Sequence, residues 1–133
     1  MKNAEKNTLT FVSGETQGLY NLGMLEEMED NEYLQEVLTI WLMESPKDIK
    51  DIQEALQAGK IDIACKKAHK LKGSAVVIQA ENLKAILEHI EQRGKSGATV
   101  DELQGLVNEV SKEYNSIESS LKRYIEGLNK KIA

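Results

Sequence analysis

One histidine carries the most pointed chemistry in this chain. His69 stands in the run Ala68-His69-Lys70-Leu71-Lys72-Gly73-Ser74-Ala75. A neutral imidazole offers a lone pair to an electrophile at neutral pH. Residues three and four apart are neighbours on a helix, and for His69 these are Cys65, Lys66, Lys72 and Gly73. If the electrophile is a phosphoryl group, Lys72 can reach one of its oxygens from one turn along. Gly73 leaves the surface beside the ring bare, so that a partner can come close. In a helix interior a glycine costs about 1 kcal/mol relative to alanine, so its presence asks for such a reason. Lys66 and Lys70 add long-range attraction for an anionic group.

Other chemistries fit less well. A di-iron bundle needs inward carboxylates and Glu-x-x-His pairs, but Lys66 and Ile86 stand three residues before His69 and His89. The single cysteine cannot build a structural zinc site, so no metal is expected. Cys65 and His69 are helical neighbours, yet a bare helix face supplies neither the cleft nor the oxyanion hole of a cysteine hydrolase. Gly94-Lys95-Ser96-Gly97 lacks the first glycine of a phosphate loop and no strand precedes it, so it reads as a turn between helices. No nucleotide-binding motif is present.

The element that must hold His69 is an amphipathic helix. At about 100° per residue, Ala64, Ala68, Leu71, Ala75 and Ile78 fall on one stripe with the 4-3-4-3 spacing of a bundle seam. His69 lies roughly 140° from the centre of that stripe, facing solvent or the bundle edge. This helix is expected over 61–78. Before it, a short helix is expected over 22–29 on Leu22, Leu25 and Met28. A second, capped by Asn31, carries Leu34, Val37, Leu38 and Trp41. Ser45-Pro46 is expected to break or kink that helix, serine suiting a cap and proline a first helical position. Ile49, Ile52 and Leu56 then continue to a stop at Gly59. After the histidine helix, Leu83, Ile86, Leu87 and Ile90 mark a helix from Glu81 that ends before Gly94. Thr99 and Glu102 form a capping box ahead of a long seam of Leu103, Val107, Val110, Tyr114, Ile117, Leu121, Tyr124 and Leu128. The expected fold class is all-α: an antiparallel four-helix bundle with a short additional N-terminal helix. A flexible segment is expected over 1–18, the bundle over 19–128 and a tail over 129–133.

Composition agrees with one domain. The chain has 133 residues, of which 41% are hydrophobic and 29% charged. One cysteine excludes an internal disulfide and fits a reducing compartment. The polar stretch from Met1 to Gly14 reads as no signal peptide, and no run approaches the roughly 20 apolar residues of a membrane span. A cytoplasmic protein that neither inserts in membranes nor binds nucleic acid is therefore expected, since the net charge is −5. Against that acidic background, Lys60, Lys66, Lys67, Lys70 and Lys72 face a single acid, Asp62. The histidine sits in a local basic patch.

The segment from Ala68 to Ala75, followed by Ala80, Leu83 and a helix rich in Leu, Ile and Glu, resembles the histidine-containing phosphotransfer (HPt) domains of multistep two-component phosphorelays. The resemblance implies that His69 carries a phosphoryl group, that Lys72 supports it and that Gly73 keeps the approach open. It implies response-regulator receiver domains as partners, which bring the aspartyl phosphate and the magnesium ion, and a hybrid sensor histidine kinase upstream. The chain itself would be a monomeric phosphocarrier rather than an enzyme, with no ATP site and no cofactor of its own. The alternative is a helical docking module on the same fold that binds receivers without phosphotransfer. Docking is expected to use Lys66, Lys70, Gly73 and Val76. Two departures stand out. Members often carry glycine ten residues after the histidine, where this chain has Gln79, a difference that bears on the turn. Many also place glutamine on the next helix near the imidazole, and the matching position by counting is Glu91. A carboxylate there could hold the imidazole tautomer and sharpen its basicity, though it would repel a phosphorylated histidine; an ordinary exposed helix glutamate is the competing reading.

Overall fold

The computed structural model describes residues 18–133, so all of the expected 1–18 segment except Gly18 lies outside the described residues. Five helices follow in order: α1 (Gly23–Glu26), α2 (Asn31–Gln57), α3 (Ile61–Val77), α4 (Glu81–Lys95) and α5 (Val100–Ile132). Helices α2 to α5 close a ring in which each packs on two neighbours: α2 on α3, α3 on α4, α4 on α5 and α5 back on α2. Three- and four-residue connections make successive helices antiparallel. The described chain is the expected all-α four-helix bundle with a short leading helix.

The seams fall inward as their spacing requires. Ala64, Ala68, Leu71, Ala75 and Ile78 are all buried, facing Leu38, Ile52 and Leu56 of α2 and Leu83, Leu87 and Ile90 of α4. Leu103, Val107, Val110, Tyr114, Ile117, Leu121 and Leu128 close the core from α5, with Tyr124 half-buried.

Several boundaries differ from the sequence-based expectation, each for a physical reason. The N-cap of α2 is Asp30 rather than Asn31: its carboxylate accepts from Tyr33 N at 2.9 Å. The leading helix is only four residues long, because Glu29 turns the chain at φ 54°, and Met28 is exposed rather than packed. Ser45-Pro46 does not break α2, which runs through it. Proline removes the N–H that would bond the carbonyl four residues back, here that of Leu42. Tyr114 Oη donates to that carbonyl from α5 at 3.4 Å. Gly94 does not end α4, which continues to Lys95, and α5 continues past Leu128 to Ile132.

The turns after α2, α3 and α4 are one motif used three times. The amide two residues past the cap donates to a carbonyl five residues back: Lys60 N to Ala55 O, Ala80 N to Ala75 O and Ala98 N to Arg93 O, at 2.9, 2.9 and 3.0 Å. That geometry needs a left-handed residue just after the cap. Gly59 and Gly97 supply it at φ 75° and 88°, and Gln79 supplies it at φ 51°. The turn that lacks its expected glycine therefore keeps the glycine geometry. At the start of α5, Thr99 Oγ1 accepts from Glu102 N at 3.1 Å. The other half of the expected capping box is replaced, since the Glu102 carboxylate takes Arg93 Nε of α4 at 2.6 Å.

Candidate functional site

The site is built where α3 and α4 come close. Three of the five α3 seam residues named above, Ala64, Ala68 and Ala75, are alanine, and small side chains let helix axes approach. Further along, a side chain at Gly94 of α4 would collide with Cys65 Sγ of α3, so the missing Cβ permits the contact. The Cys65 thiol donates across the interface to Ile90 O at 3.8 Å. Trp41 fixes the other side of α3: its indole N–H donates to Ser74 O at 2.9 Å, and its ring stacks on Tyr114 with centroids 5.8 Å apart.

This frame presents His69 on the open side of α3, its side chain 69% exposed. Across the interface comes Glu91 of α4, whose side chain is only 12% exposed. Its Oε2 lies 2.8 Å from His69 Nδ1. Its Oε1 is buried and pairs with Lys72 Nζ at 2.9 Å. One carboxylate thus joins the imidazole and the ammonium. Burial pushes the Glu91 carboxyl up, but Lys72 and then His69 outweigh it and hold it below its usual value. It is a carboxylate at neutral pH. With Nδ1–H donated to Glu91, the ring's lone pair is on Nε2, which is left for an incoming group.

The remaining sequence candidates divide. Gly73 is exposed, and a Cβ added there would meet nothing within 4 Å. Val76, seven residues past His69 on the same face, is 52% exposed, with Val77 exposed beside it. Lys66 lines a cleft of about 420 Å³ next to the histidine, together with Asp62, Cys65, Glu91, Gly94 and Lys95. Lys70 is not brought to that side. It faces α2 and holds the buried Asp48 at 2.7 Å, while Lys67 pairs with Asp51 at 3.8 Å. The nucleophilic Cys65–His69 pair is not assembled either: burial, then the charge of Glu91, raises the Cys65 thiol above its usual value. His89 is exposed on α4. Among the described residues no group of His, Cys, Asp and Glu could hold a metal ion, and no helix is long and apolar enough to cross a membrane.

Two positions that matter here escaped the sequence reading, although a signal was present. Trp41, Ser45, Asp48 and Ile52 repeat at seam spacing, so a carboxylate at position 48 falls on the buried stripe and calls for a cation. Leu83, Leu87, Ile90 and Gly94 repeat likewise, so Gly94 is a seam residue that lets a neighbour approach rather than a helix stop.

Comparison with known proteins adds one finding. No curated protein and no solved structure matches the chain. The family model of the Hpt domain matches residues 36–126, about two thirds of its length, a span that runs from within α2 to within α5 and includes the whole of α3 and α4. By that match, and by the bundle and the exposed histidine it contains, the chain belongs to the Hpt domain family, the phosphotransfer modules of two-component signalling.

Proposed function

We propose that the chain is a phosphorelay intermediate: His69 Nε2 takes a phosphoryl group from the aspartyl phosphate of a receiver domain and passes it to another receiver domain. The observation that carries this reading is the 2.8 Å contact between His69 Nδ1 and Glu91 Oε2 on an otherwise open ring. It fixes the tautomer with the nucleophilic lone pair outward. In the forward step Nε2 attacks phosphorus, the bond from phosphorus to the aspartyl oxygen breaks, and the receiver carboxylate leaves with the electron pair. Lys72, 2.9 Å from Glu91, is placed to turn from that carboxylate to a phosphoryl oxygen as negative charge arrives. Magnesium is expected on the receiver, and a hybrid sensor histidine kinase upstream is expected to supply the first phosphoryl group. The receiver docks over Gly73 and Val76, with Lys66 steering its approach.

The test is transfer from phosphorylated receivers to the chain, followed by the stability of the label. The expected product is acid-labile and base-stable, as a phosphoramidate is. His69→Gln abolishes it and His89→Gln keeps it. Label accepted by the His69→Gln protein refutes the assignment, and docking without any transfer returns the module to the binding-only alternative.

A further inference from the structure

Taking His69 as the phosphoryl acceptor, we infer that Glu91 keeps the Nδ1 proton on the phosphorylated ring, and that Lys72, bound to the same carboxylate, limits that hold. Glu91 would thereby set the pH range in which the phosphohistidine is a competent donor.

The inference rests on the two contacts of one carboxylate, Oε2 to the ring and Oε1 to the lysine. An amide at this position could accept the Nδ1 proton equally well by geometry, but it would carry no charge. The charge matters after transfer. When Nε2 bonds to phosphorus and the receiver carboxylate departs, Nδ1 still holds its proton and the ring is a cation. A carboxylate within hydrogen-bond distance stabilises that cation, and an opposite charge at such range favours the charged form by about 1–3 pH units. The ring is open to water, which places the effect near the lower end, about one unit.

In the return step the bond from Nε2 to phosphorus breaks and its electron pair stays on Nε2. With the proton on Nδ1 the leaving group is neutral imidazole. Without it the leaving group is imidazolate, a far poorer one. Retaining the proton to higher pH therefore keeps the phosphoryl group transferable.

The groups facing the ring come from two helices. From α3 these are Asp62, Cys65, Lys66 and Lys72; from α4 they are Glu91 and Lys95. Among the described residues Glu91 alone touches a ring nitrogen. Lys66 and Lys95 oppose its effect from the cleft, Asp62 adds to it, and Lys72 opposes it most directly because it is bound to the same carboxylate.

The experiment is a pH titration of the phosphohistidine resonance by 31P NMR. The protein carries His89→Gln and is loaded chemically with potassium phosphoramidate, so no receiver is needed. The midpoint is expected to fall by about one pH unit in Glu91→Gln, a tenfold loss of proton affinity, and to fall likewise in Glu91→Ala. It is expected to rise in Lys72→Ala. An unchanged midpoint in Glu91→Gln, or a fall in Lys72→Ala, overturns the inference while leaving His69 as the acceptor. A resonance that persists in His69→Gln overturns the acceptor assignment, and the inference with it.

Discussion

Gly73→Ala separates docking from folding because the two should move in opposite directions. Gly73 lies inside α3, four residues before its end. It is exposed, and an added methyl group meets no atom within 4 Å. No clash offsets the gain in helix propensity, so the substitution should stabilise the protein by about 0.5–1 kcal/mol. For a domain of this size that is a rise of about 2–5 °C in Tm. The same methyl group stands one turn from His69, on the face that also carries Val76. A receiver that closes over this face is held off by about the radius of that group. A displacement near 1 Å in a reacting pair can slow a reaction by about 100-fold, so transfer should slow by about 10- to 100-fold. Thermal melts read the first effect. Single-turnover transfer from a labelled receiver, measured across receiver concentrations, reads the second and divides it between affinity and rate. Higher stability with unchanged transfer would refute the docking role of this glycine. Lower stability would refute the claim that the space above it is open.

Gly94→Ala should do the opposite: its methyl group meets Cys65 Sγ, so it should destabilise by about 1–2 kcal/mol, and Cys65→Ala should restore most of the loss in a double-mutant cycle read by chemical denaturation. Gln79→Gly should stabilise by about 1 kcal/mol in the same assay, since it relieves a left-handed backbone at a non-glycine residue. Lys70→Ala should lower Tm by stripping the buried Asp48 of its cation, yet leave receiver affinity and its salt dependence unchanged; a loss of affinity without a loss of Tm would place Lys70 in the interface after all. Lys66→Glu should weaken receiver binding more at low salt than at high salt, whereas Val76→Asp should weaken it at both, as isothermal titration at two ionic strengths would show.

Most of the fold is legible in the spacing of apolar residues. The α3 seam of Ala64, Ala68, Leu71, Ala75 and Ile78 is buried without exception, and it alone turns His69 outward. Sequence and structure part where a local signal depends on a tertiary partner. Pro46 breaks isolated helices, but here the carbonyl it leaves free is met by a tyrosine 72 positions away in sequence. Gly94 resembles a stop until its place on the buried stripe is noticed. Within the site, His69, Lys72 and Gly73 can be found from one segment because they lie within one turn. Glu91 is found only by counting, and its direction is not legible in the sequence, because it belongs to another helix that packs against Cys65 through Gly94 before the carboxylate reaches His69.

The lysine cluster shows how far a one-dimensional charge count can mislead. Five lysines between positions 60 and 72 suggest a strongly positive field around the histidine. In three dimensions, Lys67 and Lys70 turn to Asp51 and Asp48 on α2, and Lys72 is held by Glu91. Of these five, Lys66 faces the cleft beside the ring, where Lys95 of α4 joins it. On the proposed reading, steering by long-range charge would be modest, and the bare surface at Gly73 and the apolar surface at Val76 and Val77 would carry much of receiver binding. The paired Lys72 gains from the same arrangement. If His69 accepts a phosphoryl group as proposed, an ammonium held beside it by a carboxylate would already be in place when that group arrives, so little side-chain freedom would be lost at the moment its charge is needed.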